Sequence, residues 1–485
     1  MSYLENPHII TAHISGLLVG VLVLFSAGHA ILHKRDVRAA IGWVGIICLL
    51  PLIGSILYVL FGINRVRRKA IKQRAIINKF TDDDNLFPCN LEKLREQILP
   101  EQHYLMQLVK VTDQISRHAL VCGNDITPFM TGEDAYRSML GSIGEAQQSI
   151  SLSTYIFKND QTGKLFTNAL VNAVKRGVEV RVLIDDVGSR YSFPPILHTL
   201  RKLHIKVKTF MPTFALWWAP YLHLRNHRKL LIVDGRIGFT GGMNIQGGHM
   251  LKGKEKHAIE DVHFKIRGPV VRHLQKTFIE DWMYAAKEEL QGEKWLPKIP
   301  SQGDIIARGI VDGPDEAPRK LENILLAALS CAQKSVKIVT PYFLPETQLI
   351  VALDTAAMRG ISVDIIIPQK NNQKLVQWAS MAQLRYVIER GCKVWLNPSP
   401  FDHSKFIIVD DAWVLFGSSN WDPRSFRLNF EFNIESYSLI LAERMSKLFD
   451  AKKARAFELT MKYLEKRPLI IKLRDGVARL FAPYL

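Results

Sequence analysis

The strongest constraint on this chain is a sequence pattern that occurs twice with the same internal spacing. Each copy has a histidine, a lysine two residues later, an aspartate five residues after that, and then a Gly-x-x-Asn turn. The two copies comprise His227, Lys229, Asp234, Gly241 and Asn244, and His403, Lys405, Asp410, Gly417 and Asn420. The separations of the histidines and of the aspartates are equal, at 403 − 227 = 176 and 410 − 234 = 176 residues. Equal spacing argues against two core histidines matching by coincidence.

The sequence around this pattern is duplicated as well. Ala146–Ile150 resembles Ala332–Val336, and Arg176–Val180 resembles Arg359–Val363. Each repeat has the order helix, apolar strand, helix, and a second apolar strand that follows a glycine. This order is typical of an α/β fold in which helices flank a largely buried sheet. In each copy the His-x-Lys step opens a further apolar strand, so the histidine and lysine point to the same face.

Two N-terminal stretches, residues 9–32 and 39–63, contain no Asp, Glu, Lys or Arg. As a helix the first would be ~36 Å long, which exceeds the ~30 Å hydrocarbon core of a bilayer. A buried soluble hairpin is the alternative, but soluble helices seldom run so far without a charge. A cleaved signal peptide would need a basic start, whereas the residues before the first stretch include Glu5 and no Lys or Arg. We therefore expect two transmembrane helices.

Basic residues flank these two stretches unequally. Three lie between the stretches and six follow the second, namely Lys34, Arg35 and Arg38, and then Arg65, Arg67, Arg68, Lys69, Lys72 and Arg74. The positive-inside rule then predicts that the C-terminal side of the second stretch is cytoplasmic. We expect a membrane anchor at residues 1–75, a linker at 76–115, and two domains of the same fold at 116–305 and 306–485.

The net charge of +18, from 64 Lys+Arg against 46 Asp+Glu, indicates a polyanionic partner. Nucleic acid and an anionic membrane surface both satisfy this charge. The five cysteines, at positions 48, 89, 122, 331 and 392, include no C-x-x-C pair. Their spacing argues against a disulfide scaffold and a thiolate zinc site, and it favours a reducing compartment.

Two histidines and two lysines suit phosphodiester chemistry without a metal. One neutral imidazole can attack phosphorus and form a covalent phospho-histidine. The other can protonate the leaving alkoxide and then accept a proton from the incoming alcohol. Lysine, asparagine and serine side chains can hold the non-bridging oxygens, and the expected phosphate ligands besides the lysines are Asn244, Asn420 and Ser418. We expect neither a metal nor another cofactor.

The duplicated H-x-K-x(4)-D-x(6)-G-x-x-N pattern resembles that of the phospholipase D superfamily. The resemblance implies two pseudo-symmetric phospholipase D-like α/β domains after the two transmembrane helices. It implies that His227 is the nucleophile and His403 the general acid and base, although the sequence alone does not order them. It also implies that Glu431 and Asp261 orient the histidines. The motif residues Asp234 and Asp410, counted with the catalytic set, would mainly brace the local fold.

Further matches narrow the resemblance to the bacterial cardiolipin synthases of this superfamily. They include Pro51–Gly54, Thr340–Phe343, Gly417–Asp422 and the C-terminal segment near Asp475. The resemblance implies a multi-pass protein of the bacterial inner membrane, with catalytic domains facing the cytoplasm. It implies that phosphatidylglycerol is both donor and acceptor, with anionic lipid as the surface bound and no nucleic acid as partner. Oligomeric state is not indicated.

Other functions remain open on the sequence. A membrane-bound hydrolase would share the covalent intermediate and use water as acceptor. A nucleic-acid enzyme would fit the charge but would not need two spans, and a non-catalytic scaffold would not need two intact His-Lys pairs. One departure from symmetry is that Gly242 stands in the first copy where Ser418 stands in the second.

Two further segments have two interpretations each. The extra aromatic segment Phe214–Tyr221 precedes the first histidine, and it would either dip into the bilayer or pack as a core loop. The C-terminal stretch 466–481 interleaves basic and apolar residues. It would be either an interfacial amphipathic helix or a helix packed on the second domain.

Overall fold

The computed structural model describes residues 7–34, 37–62, 88–89, 91–211, 224–251, 258–314 and 319–482. The described chain falls into two units, an N-terminal group of apolar helices and a large α/β unit from residue 88 onward, called the body here. The N-terminal unit contains the helices Pro7–His33, Val37–Leu49 and Pro51–Leu57 and the π-helical turn Tyr58–Gly62.

Among the described residues, one helix is long and apolar enough to cross a membrane, at His13–His33. The second apolar stretch is interrupted at Leu50, which has φ −129° and ψ 73°. This interruption has a local cause, since a residue before proline is pushed out of the helical region and Pro51 follows. The stretch therefore forms two shorter helices, and the second transmembrane span stays a prediction.

The body contains eighteen strands among its described residues. They are β1 Val121–Phe129, β2 Ser149–Thr154, β3 Glu179–Asp185, β4 Lys206–Phe210, β5 Arg225–Asn226, β6 Leu230–Val233, β7 Ile237–Gly241, β8 Ile259–Glu260, β9 His263–Arg267, β10 Ile305–Asp312, β11 Ser335–Val339, β12 Ser362–Pro368, β13 Lys393–Asn397, β14 Phe401–Asp402, β15 Phe406–Val409, β16 Trp413–Gly417, β17 Asn429–Tyr437 and β18 Phe457–Leu459.

Helices cover both halves of this sheet. The α-helices are Leu91–Gln97, Met106–Ile115, Gly132–Glu145, Gln161–Lys175, Ile196–Lys202, Val271–Ala286, Lys320–Cys331, Thr347–Met358, Lys374–Ile388, Pro423–Arg427, Leu439–Arg455, Met461–Glu465 and Leu469–Leu480. Short 3-10 turns lie at Pro100–Leu105, Gly188–Arg190 and Gly247–His249.

The predicted duplication appears as two halves of one continuous sheet. The strand order is β4-β3-β2-β6-β7-β9-β1 in the first half and β10-β17-β16-β15-β11-β12-β13-β18 in the second. The halves join where β1 pairs antiparallel with β10. Apart from β18, each strand of one half has its counterpart in the other, so the two halves are related by a pseudo-twofold arrangement. The mixed α/β class with two similar domains is therefore confirmed.

The expected linker is partly structured. Residues 91–115 lie inside the predicted linker 76–115, yet they contain two helices and a 3-10 turn. Leu94, Leu105 and Leu108 are fully buried in the same hydrophobic core as Ile324 and Leu325 of the second half. Burying these leucines removes apolar surface from water, so this segment belongs to the second half of the body and is not a linker.

One disulfide departs from the expectation of reduced cysteines. Cys89 and Cys122 are bonded across a sequence separation of 33 and join the start of the described body to strand β1. The pair lies next to a backbone bridge between Pro88 and Val121. Spacing alone did not indicate this pair, because the chain fold brings the two cysteines together. Cys48, Cys331 and Cys392 are free thiols.

Candidate active site

Two short strands carry the motif histidines across from one half of the body to the other. Strand β5 ends at Asn226 and pairs parallel with the start of β17, while β14 ends at Asp402 and pairs parallel with β8. The backbone N–H of His227 donates to the carbonyl of Phe430 at 2.9 Å. The N–H of His403 donates to the carbonyl of Glu260 at 2.7 Å. Each histidine is thus fixed by the partner half.

The pairing of these short strands also places each histidine beside an acid of the other half. His227 Nδ1 lies 3.0 Å from Glu431 Oε1. His403 Nδ1 lies 2.8 Å from Asp261 Oδ2. An acid on Nδ1 fixes the ring orientation and places the proton on Nδ1, so the lone pair of a neutral ring is on Nε2. The structure brings both predicted acids to the predicted histidines.

Burial and nearby lysine charges act on both histidines. Burial lowers the pKa of His227, while Glu431 opposes that shift. Burial lowers the pKa of His403 well below its usual value, and the charges on Lys405 and Lys229 lower it further. Because the charge on Lys405 also lowers the pKa of His227, the two motif copies form one electrostatic site. With pKa values below the ordinary one, both imidazoles are neutral at pH 7.

The two lysines are folded back on their own histidines. Lys229 Nζ donates to the carbonyl oxygen of His227 at 2.5 Å, and Lys405 Nζ donates to that of His403. Burial lowers the pKa of Lys229 to about 7 and that of Lys405 to about 8. An anion between the lysines would favour their charged forms, so the pair is suited to holding a phosphate group.

The motif aspartates brace turns at the far ends of the motif strands. Asp234 accepts hydrogen bonds from the backbone N–H groups of Gln147, Gln148 and Ser149, at 2.7 to 2.9 Å. Asp410 accepts the corresponding three from Gln333, Lys334 and Ser335, at 2.7 to 2.8 Å. The four-residue strands β6 and β15, each ~13 Å long, lie between the lysines and these aspartates. Their contacts match the bracing role.

The motif glycines allow the acid-bearing chain segments to approach closely. Gly241 has φ +149°, and a Cβ there would lie 2.6 Å from the carbonyl oxygen of Val262. Gly417 has φ +159°, and a Cβ there would lie 2.4 Å from the carbonyl oxygen of Phe432. Any side chain at either position would clash with the chain segment that follows Asp261 or Glu431.

The two motif asparagines are buried beside these turns. Asn244 Oδ1 accepts the backbone N–H of Ile156 at 3.1 Å, so its amide oxygen holds the loop after β2. The backbone N–H of Asn420 donates to Ser425 Oγ at 3.1 Å. Within the described residues, Asn420 Oδ1 has no hydrogen-bond partner. Phosphate binding by the two side-chain amides stays a prediction.

The structure uses Ser418 differently from the prediction. Its fully buried hydroxyl donates to Glu431 Oε2 at 2.5 Å, so the hydroxyl hydrogen is engaged within the protein. Asn429 Nδ2 donates to the other oxygen of Glu431 at 3.1 Å. We therefore correct Ser418 from a phosphate ligand to a residue that positions Glu431.

The first half lacks this hydroxyl for a steric reason. A Cβ on Gly242 would lie 2.3 Å from Asp261 Oδ1, so a serine there would overlap the carboxyl group. Burial raises the pKa of Asp261, whereas the charge on Lys405 opposes that shift. Burial also raises the pKa of Glu431, but the electrostatic interaction with the His227 ring and the hydrogen bond from it, together with the charge on Lys229, outweigh this and hold that pKa below its usual value. The two acids are therefore not equivalent.

Two tyrosines complete the surroundings and were missing from the predicted site. The ring of Tyr155 meets His227 edge-on at a centroid distance of 5.5 Å, and Tyr342 meets His403 at 6.2 Å. Lys229 Nζ lies 5.6 Å from the centre of the Tyr155 ring. The signal was present in the sequence, because both tyrosines end matching segments of the two repeats.

The residues before the histidines were also missed. Asn226 Oδ1 accepts the N–H of Arg228 at 3.1 Å, and Asp402 Oδ1 accepts the N–H of Ser404 at 3.0 Å. These equivalent bonds turn the chain from the short crossing strand into the motif strand. Lys452 Nζ donates to Asp402 Oδ2 at 2.7 Å. The aromatic segment Phe214–Tyr221 and the basic cluster after residue 63 lie outside the described residues.

Comparison with known proteins agrees with this geometry. A family model described as cardiolipin synthase, phospholipase D-like domain, matches residues 139–282 and 325–453. A second, described as phospholipase D-nuclease N-terminal, matches residues 21–62. The major cardiolipin synthase of Bacillus subtilis is 31% identical over 97% of this chain and 98% of its own length. The cardiolipin synthase of Geobacillus kaustophilus is 30% identical over 97% of this chain and 93% of its own length.

A solved structure shows the same fold. The phosphatidylserine synthase of Haemophilus influenzae superposes with a TM-score of 0.61 at 14% sequence identity. The superposition covers 78% of this chain and 100% of that protein. At this identity the likeness concerns the fold alone.

Proposed function

The chain belongs to the cardiolipin synthase family of the phospholipase D superfamily, and from this membership we propose that it makes cardiolipin and glycerol from two phosphatidylglycerol molecules. The observation that carries the proposal is the pair of buried carboxyl–histidine contacts, 3.0 Å and 2.8 Å long, with two lysines acting on one site. Such a site can hold one phosphodiester and exchange the alcohols on it.

In the first step, His227 Nε2 attacks the phosphorus of one phosphatidylglycerol. The N–P bond forms as the bond from phosphorus to the glycerol headgroup oxygen breaks. His403 gives a proton to that oxygen, and glycerol leaves. Glu431 holds Nδ1 of His227 and stabilises the positive charge that the ring acquires. The negative charge of the bound phosphodiester favours the protonated form of His403, because it offsets the two lysine charges.

In the second step, the acceptor is a hydroxyl of the second phosphatidylglycerol headgroup. His403, now neutral, removes the hydroxyl proton while the oxygen attacks the phosphorus. The N–P bond breaks, His227 becomes neutral again, and cardiolipin leaves. The site is then in its starting protonation state, so the cycle needs no cofactor.

The lysines and the motif asparagines would stabilise both transition states. Lys229 and Lys405 are buried, and a buried ammonium group interacts more strongly with a phosphoryl oxygen than an exposed one. Asn244 and Asn420 would add hydrogen bonds to the non-bridging oxygens, where negative charge grows.

The membrane arrangement is a part of the same proposal. Both apolar N-terminal stretches would span the bacterial inner membrane, and the basic residues after the second would keep the body in the cytoplasm. The helix His13–His33 supports the first of these spans. Accessibility of a cysteine introduced at Ile440, an exposed body position, to a membrane-impermeant thiol reagent would test the orientation. Labelling in intact spheroplasts, rather than only after lysis, would contradict it.

The function is tested by a product assay with full-length protein in mixed vesicles. Phosphatidylglycerol alone should yield cardiolipin and glycerol in equal amounts, and His227→Ala and His403→Ala should each reduce turnover at least ~10³-fold. Phosphatidic acid as the main product would identify a hydrolase instead. Rapid quenching followed by mass spectrometry should find a phosphatidyl group on His227. A phosphatidyl group on His403 would reverse the assigned roles and keep the covalent mechanism.

A further inference from the structure

The C-terminal helix Leu469–Leu480 has a buried side that fixes its position on the body. Asp475 and Ala478 are buried on that side. Asp475 forms ion pairs with Arg467 and, at 2.7 Å, with Arg474. Ala478 packs in a small core with Leu344 and Ala379. Ala478 therefore docks the helix on the body, and the ion pairs of Asp475 hold the C-terminal segment together.

The opposite side of this helix is apolar and exposed. Its large side chains are between 56% and 74% exposed, and they are Leu469, Ile470, Leu473, Val477 and Leu480. At 3.6 residues per turn these five positions fall within an arc of about 100°. The exposed side of a surface helix normally carries polar residues. In this helix the exposed side is apolar instead.

Basic residues border the exposed apolar arc. Residues 466–481 contain five Lys and Arg and one Asp, which gives a net charge of 5 − 1 = +4. Lys472 and Arg474 lie on the two flanks of the arc on the helical wheel. Arg474 is held over the ring of Trp378 at 4.4 Å, and Arg479 lies 5.2 Å from the ring centre of Tyr386. The charged groups thus surround the apolar surface without covering it.

We propose that the exposed arc of the helix Leu469–Leu480 binds the surface of an anionic lipid bilayer. An apolar stripe between basic flanks lets the side chains enter the acyl boundary while the cations remain among the headgroups. A second protein copy would bring another +4 segment against this one, which charge repulsion opposes. The helix His13–His33 of the same chain makes a bilayer an available partner.

The contact has a consequence for the active site, because the docked helix is joined to it through packed side chains. Trp378 and Tyr386, which support the arginines, lie on the helix Lys374–Ile388. Just before that helix, Asn372 accepts a hydrogen bond from the Tyr342 hydroxyl at 2.8 Å. The Tyr342 ring in turn contacts His403. A bilayer bound by the C-terminal helix would therefore be connected, through these side chains, to the surroundings of His403.

An environment-sensitive fluorophore on the full-length protein tests this proposal directly and does not depend on activity. A cysteine is introduced at Val477 and labelled, with Ile440→Cys as the matched control, since Ile440 is also a β-branched apolar residue and is 65% exposed on another helix. Both variants carry Cys48→Ser, because Cys48 is the exposed native thiol. The proteins are reconstituted in nanodiscs of phosphatidylcholine with or without one third phosphatidylglycerol.

The fluorescence emission of the label at position 477 should shift to shorter wavelength in phosphatidylglycerol discs, and spin-labelled lipid should quench it. The label at position 440 should show neither change. The additional changes Lys466→Gln and Lys472→Gln should reduce the shift at least twofold. No difference between positions 477 and 440 in either lipid would overturn the proposal. So would equal shifts in both lipids, which would remove the anionic preference, or a shift in detergent that grows with protein concentration, which would indicate a second copy on the arc.

Discussion

His227 and Glu431 are 204 residues apart in the chain, yet the Nδ1 of the first lies 3.0 Å from the carboxylate of the second. His403 and Asp261 form the reciprocal contact. Each half of the body therefore contains a histidine that only the other half can orient. A single half would have the motif residues without a working site, which gives a physical reason for both repeats to be retained in one chain.

Replacing Glu431 by Gln should reduce kcat by about 10²–10⁴-fold, since an amide can present its N–H to Nδ1 and hold the wrong tautomer of His227. Asp261→Asn should have a comparable effect through His403. Initial rates in mixed vesicles measure the loss, and circular dichroism melting provides the structural control. A loss of activity that parallels a loss of folded protein would contradict an orienting role.

Replacing Asp234 by Asn should instead act on stability. The change weakens three hydrogen bonds to backbone N–H groups, each of them charge-assisted in the native protein. We expect the free energy of unfolding to fall by about 1–3 kcal/mol, while kcat per folded molecule changes less than about threefold. Chemical denaturation followed by fluorescence measures the first quantity. A drop in kcat as large as that of Glu431→Gln would place Asp234 in the chemistry.

The decrease of activity at alkaline pH should come from the loss of the two lysine charges. Burial lowers the pKa of Lys229 to about 7 and of Lys405 to about 8, and phosphate binding needs their charged forms. As pH rises through these values the free enzyme loses the charges, so kcat/KM should fall from pH ~7 upward. The fall in kcat should begin at higher pH, because bound phosphate keeps the lysines charged. The guanidinium group of the Lys405→Arg variant stays charged at these pH values. The activity that remains in this variant should therefore no longer fall with the titration of residue 405.

The same burial implies that the lysines reduce stability. A folded-state pKa of about 7 against 10.5 in the unfolded chain means that unfolding takes up a proton at Lys229 between these pH values. The stability contribution therefore improves as pH rises through that window. Lys229→Met should abolish activity and raise the free energy of unfolding at pH 7 by about 1–4 kcal/mol. The gain should be smaller at pH 10, and thermal melts at the two pH values measure it.

Gly242 and Ser418 should respond differently to alanine. Gly242→Ala places a Cβ 2.3 Å from Asp261 Oδ1, so the carboxyl group must move away from His403. We expect kcat to fall at least tenfold. Ser418→Ala removes one donor from Glu431 and leaves the contact with His227, so the loss should be below about tenfold. Equal losses of kcat in the two variants would contradict the expected difference between the two halves.

The sequence predicted much of this site because its signals are local. The fixed spacing within each motif copy placed the histidine, lysine and aspartate on one strand and its following turn. The match between Ala146–Ile150 and Ala332–Val336 predicted the α/β duplication. Alternation of apolar residues and turn residues depends only on neighbours in the chain, so it can be read without the fold.

Several features did not follow from local patterns. Residues 91–115 were predicted as linker but pack in the core of the second half, and Cys89 bonds to Cys122. The second apolar stretch had the composition of one span, whereas Leu50 and Pro51 divide it into two helices. The roles of Ser418 and Tyr155 depend on what lies beside them in space.

What the sequence determined by itself was the family and the set of groups predicted to perform its chemistry, because motif spacing and residue type carry that information. Which acid contacts which histidine was decided only by the tertiary structure. The pairing of β5 with β17 and of β14 with β8 joins segments about 140 to 200 residues apart. Contacts of such separation arise from how the two halves pack, and no pattern along the chain specifies them.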